Sequence, residues 1–426
     1  MKEFKPIKKI NGEIVDIAAD KSISHRCAIF SLLAEKPCEV KNFLHAQDTL
    51  NTLKISQNLG LEVVNKDSKT MLFIPKKEGI LEPKNVLDCG NAGTAMRLFT
   101  GLLASTKGYF VLCGDEYLHA RPMQRVIEPL KSIGACIFAR EDNKFAPISI
   151  VGQKLEGFDY TSNVASAQIK SAMLLAGLFA KDVCRFEEPI LSRDHTEKML
   201  KNMGANLKIE GKKITLFPLE KKLDSFSVEI PADPSSAFFF AVMALILPDS
   251  HLVLKNILLN PTRIEAFEVL KKMGGKITYE NIKEDLDISG DIVVKSSSLR
   301  AIVLEEKIAW LIDELPALGI AMAFAEGKSV VKNAKELRIK ETDRIKAVVS
   351  NLQKMGIEAY EFEDGFSIVG GEAKPAILES FGDHRIAMSF AIICSVYGGS
   401  VKDFDCVNVS FPNFLEILNK VVENGN

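Results

Sequence analysis

A small-residue helix opened by a polar or glycine-containing cap recurs six times along this chain, and the recurrence restricts the fold more than any single motif does. The openings are Lys21-Ser22-Ile23-Ser24, Gly90-Asn91-Ala92-Gly93-Thr94, Ala165-Ser166-Ala167-Gln168, Asp233-Pro234-Ser235-Ser236, Asp313-Glu314-Leu315-Pro316 and Asp383-His384-Arg385, spaced 68 to 80 residues apart. Such self-similarity marks one supersecondary unit copied along the chain. A short strand follows the helix, as in Cys38-Glu39-Val40-Lys41-Asn42 and His251-Leu252-Val253-Leu254. A second helix then stops at Gly60, Gly134, Gly204, Gly274 or Gly356, where a left-handed C-cap suits glycine, and a β-rich pair comes next. The sixth copy runs out after Phe414-Leu415-Glu416-Ile417-Leu418 with no strands behind it. Residues 1 to 20, read as a strand pair around Asn11-Gly12, supply what it lacks. The chain is therefore expected to leave one domain, build another and return, with residues 1–20 plus 231–426 in domain one and 21–230 in domain two.

A length of 426 residues, 47% of them apolar and 26% charged, suffices for two buried cores of this α/β kind. The longest apolar run, Phe238 to Leu247, falls far short of a membrane span, and Met1-Lys2-Glu3-Phe4-Lys5 has no secretory apolar core, so the cytoplasm is the expected compartment. Eight scattered cysteines signal neither a zinc site nor a disulfide framework, and no metal is expected. A net charge of −2 argues against a nucleic-acid or membrane surface as partner.

The cations sit at helix mouths. In Lys21-Ser22-Ile23-Ser24-His25-Arg26, backbone N–H groups, a hydroxyl, an ammonium and a guanidinium suit one phosphate, although a capped helix with solvated charges has the same sequence. Gly93 removes a side chain where a ligand needs close approach to the backbone, or simply permits a tight turn. In Arg121-Pro122 the proline is expected at the first helical position, with Arg121 pointing from the helix mouth toward a carboxylate or phosphate. Ser166-Ala167-Gln168-Ile169-Lys170 offers polar groups that suit a polyol, and Ser192-Arg193-Asp194-His195 reads as a capping sequence carrying another cation. Lys340 and Arg344 fall on one helical face at i,i+4, with Glu341 three residues before Arg344, a pattern shared with solvated salt-bridge ladders. Asp313, among Trp310, Leu311, Ile312 and Leu315, is either a helix cap or a carboxylate of tuned proton affinity. Asp383-His384-Arg385 puts a last arginine at the sixth mouth. Separate bland explanations are needed at each place, whereas one anion-filled cleft accounts for all of them.

These segments, in this order and spacing, resemble the 5-enolpyruvylshikimate-3-phosphate synthase family of enolpyruvyl transferases over essentially the whole chain. The resemblance implies two similar domains, each of three βαβαββ repeats, with the active site in the interdomain cleft. It also implies transfer of the enolpyruvyl group of phosphoenolpyruvate to the 5-hydroxyl of shikimate 3-phosphate, in the pathway to chorismate and aromatic amino acids. Lys21, Ser22, Arg26, Ser166, Ala167, Gln168, Asp313 and Lys340 would then meet shikimate 3-phosphate, with Arg193 stacking on or bracing its ring. Lys21, Gly93, Arg121, Gln168, Arg344 and Arg385 would meet phosphoenolpyruvate. No cofactor is implied, a monomer is expected, and the family's inhibitor glyphosate would pack at Gly93.

Two phosphates and a carboxylate need several fixed cations around them. The chemistry needs a proton taken from the hydroxyl and one delivered to the methylene carbon of phosphoenolpyruvate. Asp313 is assigned as the base and Glu341 as the donor, with Lys21 and His384 as further acid/base candidates. One departure is Val409, which precedes Ser410-Phe411-Pro412 where family members often carry lysine. The sister transferase acting on UDP-N-acetylglucosamine carries a cysteine shortly before its Arg-Pro pair. Here Asp115 to Ala120 fill that stretch, and Cys113 lies further back.

Overall fold

A computed structural model describes residues 1–423. The chain divides into two compact units, Met1–Asp20 with Pro231–Asn426, and Lys21–Ile230. All six small-residue helices form, as Lys21–Phe30, Gly93–Ala104, Ala167–Gly177, Pro234–Ile246, Leu315–Ala323 and His384–Tyr397. Three of the mouths are capped by side chains that the sequence offers. Ser166 Oγ accepts from the Ile169 amide, Asp233 from the Ser235 amide, and Asp383 from the Arg385 and Ile386 amides. Small residues are needed because these helices pack closely and are buried nearly all round. At Gly101 a Cβ would lie 2.2 Å from the carbonyl oxygen of Ala172 on the neighbouring helix.

The second helices end where glycine was expected to end them. Gly60, Gly134, Gly204, Gly274 and Gly356 all have φ between +82° and +110°, a region costly to any residue with a Cβ. Each second helix leads into an antiparallel strand pair in the first five copies.

Five four-stranded sheets and one three-stranded sheet result. In each, the strand after the small-residue helix pairs in parallel on one side, and in the four-stranded sheets it meets an antiparallel hairpin on the other. Two parallel partners are exchanged. Asn11–Ile14, which precedes the first helix, pairs with His251–Leu258 of the fourth copy. Ser227–Glu229, which precedes the fourth helix, pairs with Cys38–Lys41 of the first. This exchange is the topological reason that one unit is discontinuous, since each crossing of the chain falls just after a strand that stays behind.

The strand pair expected around Asn11-Gly12 does not form. Lys2–Phe4 joins Gly399–Lys402 antiparallel and completes the sheet of the sixth copy, while Asn11–Ile14 goes to the fourth. The Asn-Gly dipeptide sits at the start of a strand, not in a hairpin turn. The C-terminal helix Phe414–Glu423 docks on Pro234–Ile246, with the rings of Phe414 and Phe240 5.4 Å apart and those of Phe411 and Phe240 6.0 Å apart. Phe411 is wholly buried, so the Ser410-Phe411-Pro412 segment acts here as a core anchor. Among the described residues no helix is long and apolar enough to cross a membrane.

Candidate active site

In the unit Lys21–Ile230, three helix mouths carry the expected side chains. Lys21 opens the first helix and its ammonium pairs with Asp48 at the start of the second helix, Gln47–Asn58. Ser22 is partly exposed, and its carbonyl accepts from Arg26 Nη1 at 3.1 Å. Arg26 is buried beneath, donating from Nε to Thr196 Oγ1 at 2.8 Å and from Nη2 to Ser171 Oγ at 2.9 Å. A guanidinium so placed braces three helices. His25 beside it is also buried, shares a 2.7 Å hydrogen bond between Nδ1 and Thr52 Oγ1, and is held well below its ordinary pKa by burial and by the charges of Lys21 and Arg26. It is neutral at pH 7, and its neighbours prevent a third positive charge at this mouth.

Gly93 begins the next helix under two guanidiniums, with an added Cβ lying 3.0 Å from Arg97 Nη1 and 3.3 Å from Arg121 Nη1. Arg121 donates to both the carbonyl and the side-chain oxygen of Asn91, whose amide in turn donates to Asp115 at 2.8 Å. Arg97 Nη1 and Arg125 Nη2 donate to the same atom, Gln168 Oε1, at 2.8 and 3.0 Å, while Gln168 Nε2 donates to Thr94 Oγ1 at 3.2 Å. The side-chain amide of Gln168 thus gathers two arginines at the mouth of the third helix, next to Ser166 and Ala167. Pro122 is not at the first helical position. The helix begins at Gln124 with Met123 as its N-cap, and the Pro122 carbonyl accepts from Arg97 Nη2 at 3.4 Å. The loop therefore holds Arg121 by its bonds to Asn91, not by helix capping.

Arg193 is half-buried on the loop before His195–Asn202, and the side chain of Asp194 makes no cap bond there but pairs with Lys198 at 3.3 Å. Lys170 is a correction to the polyol reading of its segment. It is fully buried between Glu188 at 2.8 Å and Glu197 at 2.7 Å and is structural. The thiol of Cys113 is pushed up by burial and by Asp88, and is no thiolate.

In the other unit, Arg344 is the hub. It is 1% exposed, and its guanidinium reaches Asp383 from Nε at 2.8 Å, Glu341 from Nη2 at 2.6 Å and Asp313 from Nη1 at 3.5 Å. Burial opposes its charge, but Asp383, Glu341 and Asp313 together outweigh that and raise its pKa above that of ordinary arginine. Arg385 also reaches Asp313, with Nη1 donating to its carbonyl at 3.2 Å and Nε 3.7 Å from Oδ1. His384 is buried at the first position of the same helix.

Asp313 is thus a carboxylate held by two guanidiniums, and Glu314, not Asp313, occupies the N-cap position of the helix Leu315–Ala323. The helical face expected to join Lys340 to Arg344 is absent. The helix starts only at Arg344, capped by Asp343, and Lys340 lies 3.6 Å from Glu336 in the preceding 3-10 turn. Glu341 does meet Arg344, across the cap. Sequence reasoning gave no role to Asp48, Asn91, Arg125 or Asp383. Asp383 carried a signal, an Asp just before a helix, but Asp48 pairs with Lys21 from 27 residues away and carried none.

The sequence model of the family EPSP synthase (3-phosphoshikimate 1-carboxyvinyltransferase) matches residues 4–418. The chain is 54% identical to the 3-phosphoshikimate 1-carboxyvinyltransferase of Helicobacter hepaticus, over 99% of this chain and 98% of that one. It is 55% identical to the protein of that name from Wolinella succinogenes, over 96% and 94%. The solved EPSP synthase of Acinetobacter baumannii superimposes with a TM-score of 0.87 at 37% identity, covering 98% of this chain and 97% of that one. With the repeat architecture and the helix-mouth cations already in place, these likenesses establish that the chain belongs to the EPSP synthase (3-phosphoshikimate 1-carboxyvinyltransferase) family.

Proposed function

We propose that this chain transfers the enolpyruvyl group of phosphoenolpyruvate to the 5-hydroxyl of shikimate 3-phosphate and releases phosphate. Family membership along the full length supports the reaction. The observation that carries the mechanism is the pair of carboxylates, Asp313 and Glu341, oriented by one buried guanidinium. Asp313 takes the proton of the 5-hydroxyl as its oxygen bonds to C2 of phosphoenolpyruvate. Glu341 delivers a proton to C3, giving a tetrahedral intermediate. Loss of phosphate from C2 and of one proton from C3 then restores the double bond. Lys21 and His384 remain the other acid/base candidates.

Lys21, Ser22, Ser166, Ala167, Gln168, Arg193 and Lys340 receive shikimate 3-phosphate in this reading. Lys21, Gly93, Arg121, Gln168 and Arg385 receive phosphoenolpyruvate. Arg26 and Arg344, both buried and bonded to protein groups, are given positioning roles in place of direct ligand contacts. The test is phosphate release by the purified chain with phosphoenolpyruvate and either shikimate 3-phosphate or UDP-N-acetylglucosamine, with the product identified by NMR. Release with shikimate 3-phosphate alone is expected. No release with it, or release only with the nucleotide sugar, overturns the proposal.

A further inference from the structure

Another buried guanidinium, Arg263, lies outside the residues assigned to the site. It is 2% exposed and sits just before the helix Glu265–Lys272. Nη1 pairs with Asp20, and Nη2 donates to Asp233 Oδ1 at 3.0 Å and to Ser235 Oγ at 3.2 Å. Ser235 Oγ in turn donates to Glu314 Oε1. All four partners are buried, with Asp20 wholly inaccessible. Burial works against the charge of Arg263, and Asp20, Asp233 and Glu314 more than restore it.

The positions of these partners in the chain give the hub its meaning. Asp20 immediately precedes Lys21, the ammonium assigned to both substrates. Glu314 immediately follows Asp313, the assigned base. Asp313 itself belongs to the Arg344 and Arg385 cluster, so two consecutive carboxylates are tied to two different guanidinium hubs. A backbone held on both sides of one peptide bond has little freedom to turn. A carboxylate that must meet a hydroxyl proton at hydrogen-bond distance loses rate steeply when displaced by an ångström.

We infer that Arg263, acting through Ser235 and Glu314, is a positioning residue for Asp313. The inference rests on the role given to Asp313 above. Buried ion pairs are weak evidence for stability, and a built-in specific geometry is the better-attested reason for retaining one.

The test uses Ser235→Ala, which removes the hydroxyl bonded to both Arg263 and Glu314 and leaves Arg263 with both aspartates and the direct charge of Glu314, together with Arg263→Gln and Arg263→Lys. The expected result for Ser235→Ala is a roughly five- to twentyfold fall in kcat, with KM for either substrate changed less than about threefold. A larger fall is expected for Arg263→Gln, with partial recovery in Arg263→Lys. The deciding measurement is made in an Asp313→Asn background. If Ser235 acts through Asp313, adding Ser235→Ala there changes the residual kcat less than twofold. An equal fall in both backgrounds, or wild-type kcat in folded Ser235→Ala, overturns the inference. Should Arg263→Gln fail to fold, the Ser235→Ala pair still decides. Wild-type protein without transferase activity would instead overturn the functional reading, so the two failures are distinguishable.

Discussion

Arg344 in one unit and the arginines around Gly93 in the other meet different groups in the bonds described for them. Arg344 is enclosed by three carboxylates, Asp313, Glu341 and Asp383. The bonds described for Arg97, Arg121 and Arg125 end instead on uncharged oxygens, those of Gln168, Asn91 and Pro122. A bond to an amide oxygen holds a guanidinium without placing a countercharge at that contact. One ringed by carboxylates spends its donors on orienting them. The contrast assigns different work to the two halves of the chain. Under the proposed function, Arg121 and Gln168 of the unit Lys21–Ile230 serve anion binding, and Asp313 and Glu341 of the other unit serve proton transfer.

The largest effect expected from this division is at Asp313. Asp313→Asn keeps the shape and removes the base, so kcat should fall by a factor of about 10² to 10⁴ while shikimate 3-phosphate still binds, measured by turnover and by calorimetric titration. Near-normal turnover would remove Asp313 from the base role. The mirror experiment is Arg121→Gln. A charged hydrogen bond contributes about 1.5 to 3 kcal/mol, so KM for phosphoenolpyruvate should rise roughly ten- to a hundredfold with a smaller change in kcat. A change confined to kcat at Arg121, joined to one confined to KM at Asp313, would reverse the division.

The parts of this arrangement that were legible in the sequence are those fixed by local chemistry. The six helix mouths and the five glycine stops depend on capping and on positive φ, which neighbouring residues dictate. Partners chosen by tertiary packing were not legible. Asn11-Gly12 has the composition of a hairpin turn, yet the parallel edge of His251–Leu258 takes the strand. Lys340 and Arg344 have helical spacing, but Asp343 caps the helix between them and cancels the shared face. Lys170 looked like a site lysine, and only its full burial between Glu188 and Glu197 shows otherwise. Of the carboxylates around Arg344, Glu341 lies within reach of a spacing rule, but Asp313 and Asp383 come from segments 31 and 39 residues away, which no spacing rule could have gathered.

The neutral His25 sharpens the view of the Lys21 mouth as cationic. Its folded pKa is lowered, so below about 6.5 the unfolded chain binds a proton that the folded chain refuses. Stability from this group is therefore intact above about pH 6.5. As pH falls toward the folded pKa it declines, by up to about 1.4 kcal/mol per pH unit. Urea unfolding at pH 7.5, 6.5 and 5.5 should show this slope in the wild type and a shallower one in His25→Gln. Lys21→Met should also reduce it, since Lys21 is one of its causes. Identical slopes in all three proteins would mean that the mouth exerts no such field on the imidazole.

The smallest effect expected is at Gly93, and it tests how closely the anion seat is fitted. A methyl group there would lie 3.0 Å from Arg97 Nη1, 3.3 Å from Arg121 Nη1 and 3.6 Å from Leu118 Cδ1. The first two contacts are tight, but they involve the ends of flexible side chains, which can retreat by a few tenths of an ångström. Alanine is also the better helix former, so Gly93→Ala should melt within a few degrees of the wild type. The cost falls on the ligand, because Arg121 is proposed to receive phosphoenolpyruvate and Arg97 holds Gln168, which is proposed to do the same. KM for that substrate should rise a few-fold, with kcat and shikimate 3-phosphate binding nearly unchanged. Glyphosate carries its carboxylate and phosphonate further apart than the anionic groups of phosphoenolpyruvate, so glyphosate bound in the proposed seat should lose more affinity than the substrate does. Unaltered inhibition together with unaltered KM would show that no ligand reaches the Gly93 backbone, and would move the anion seat away from Arg97 and Arg121.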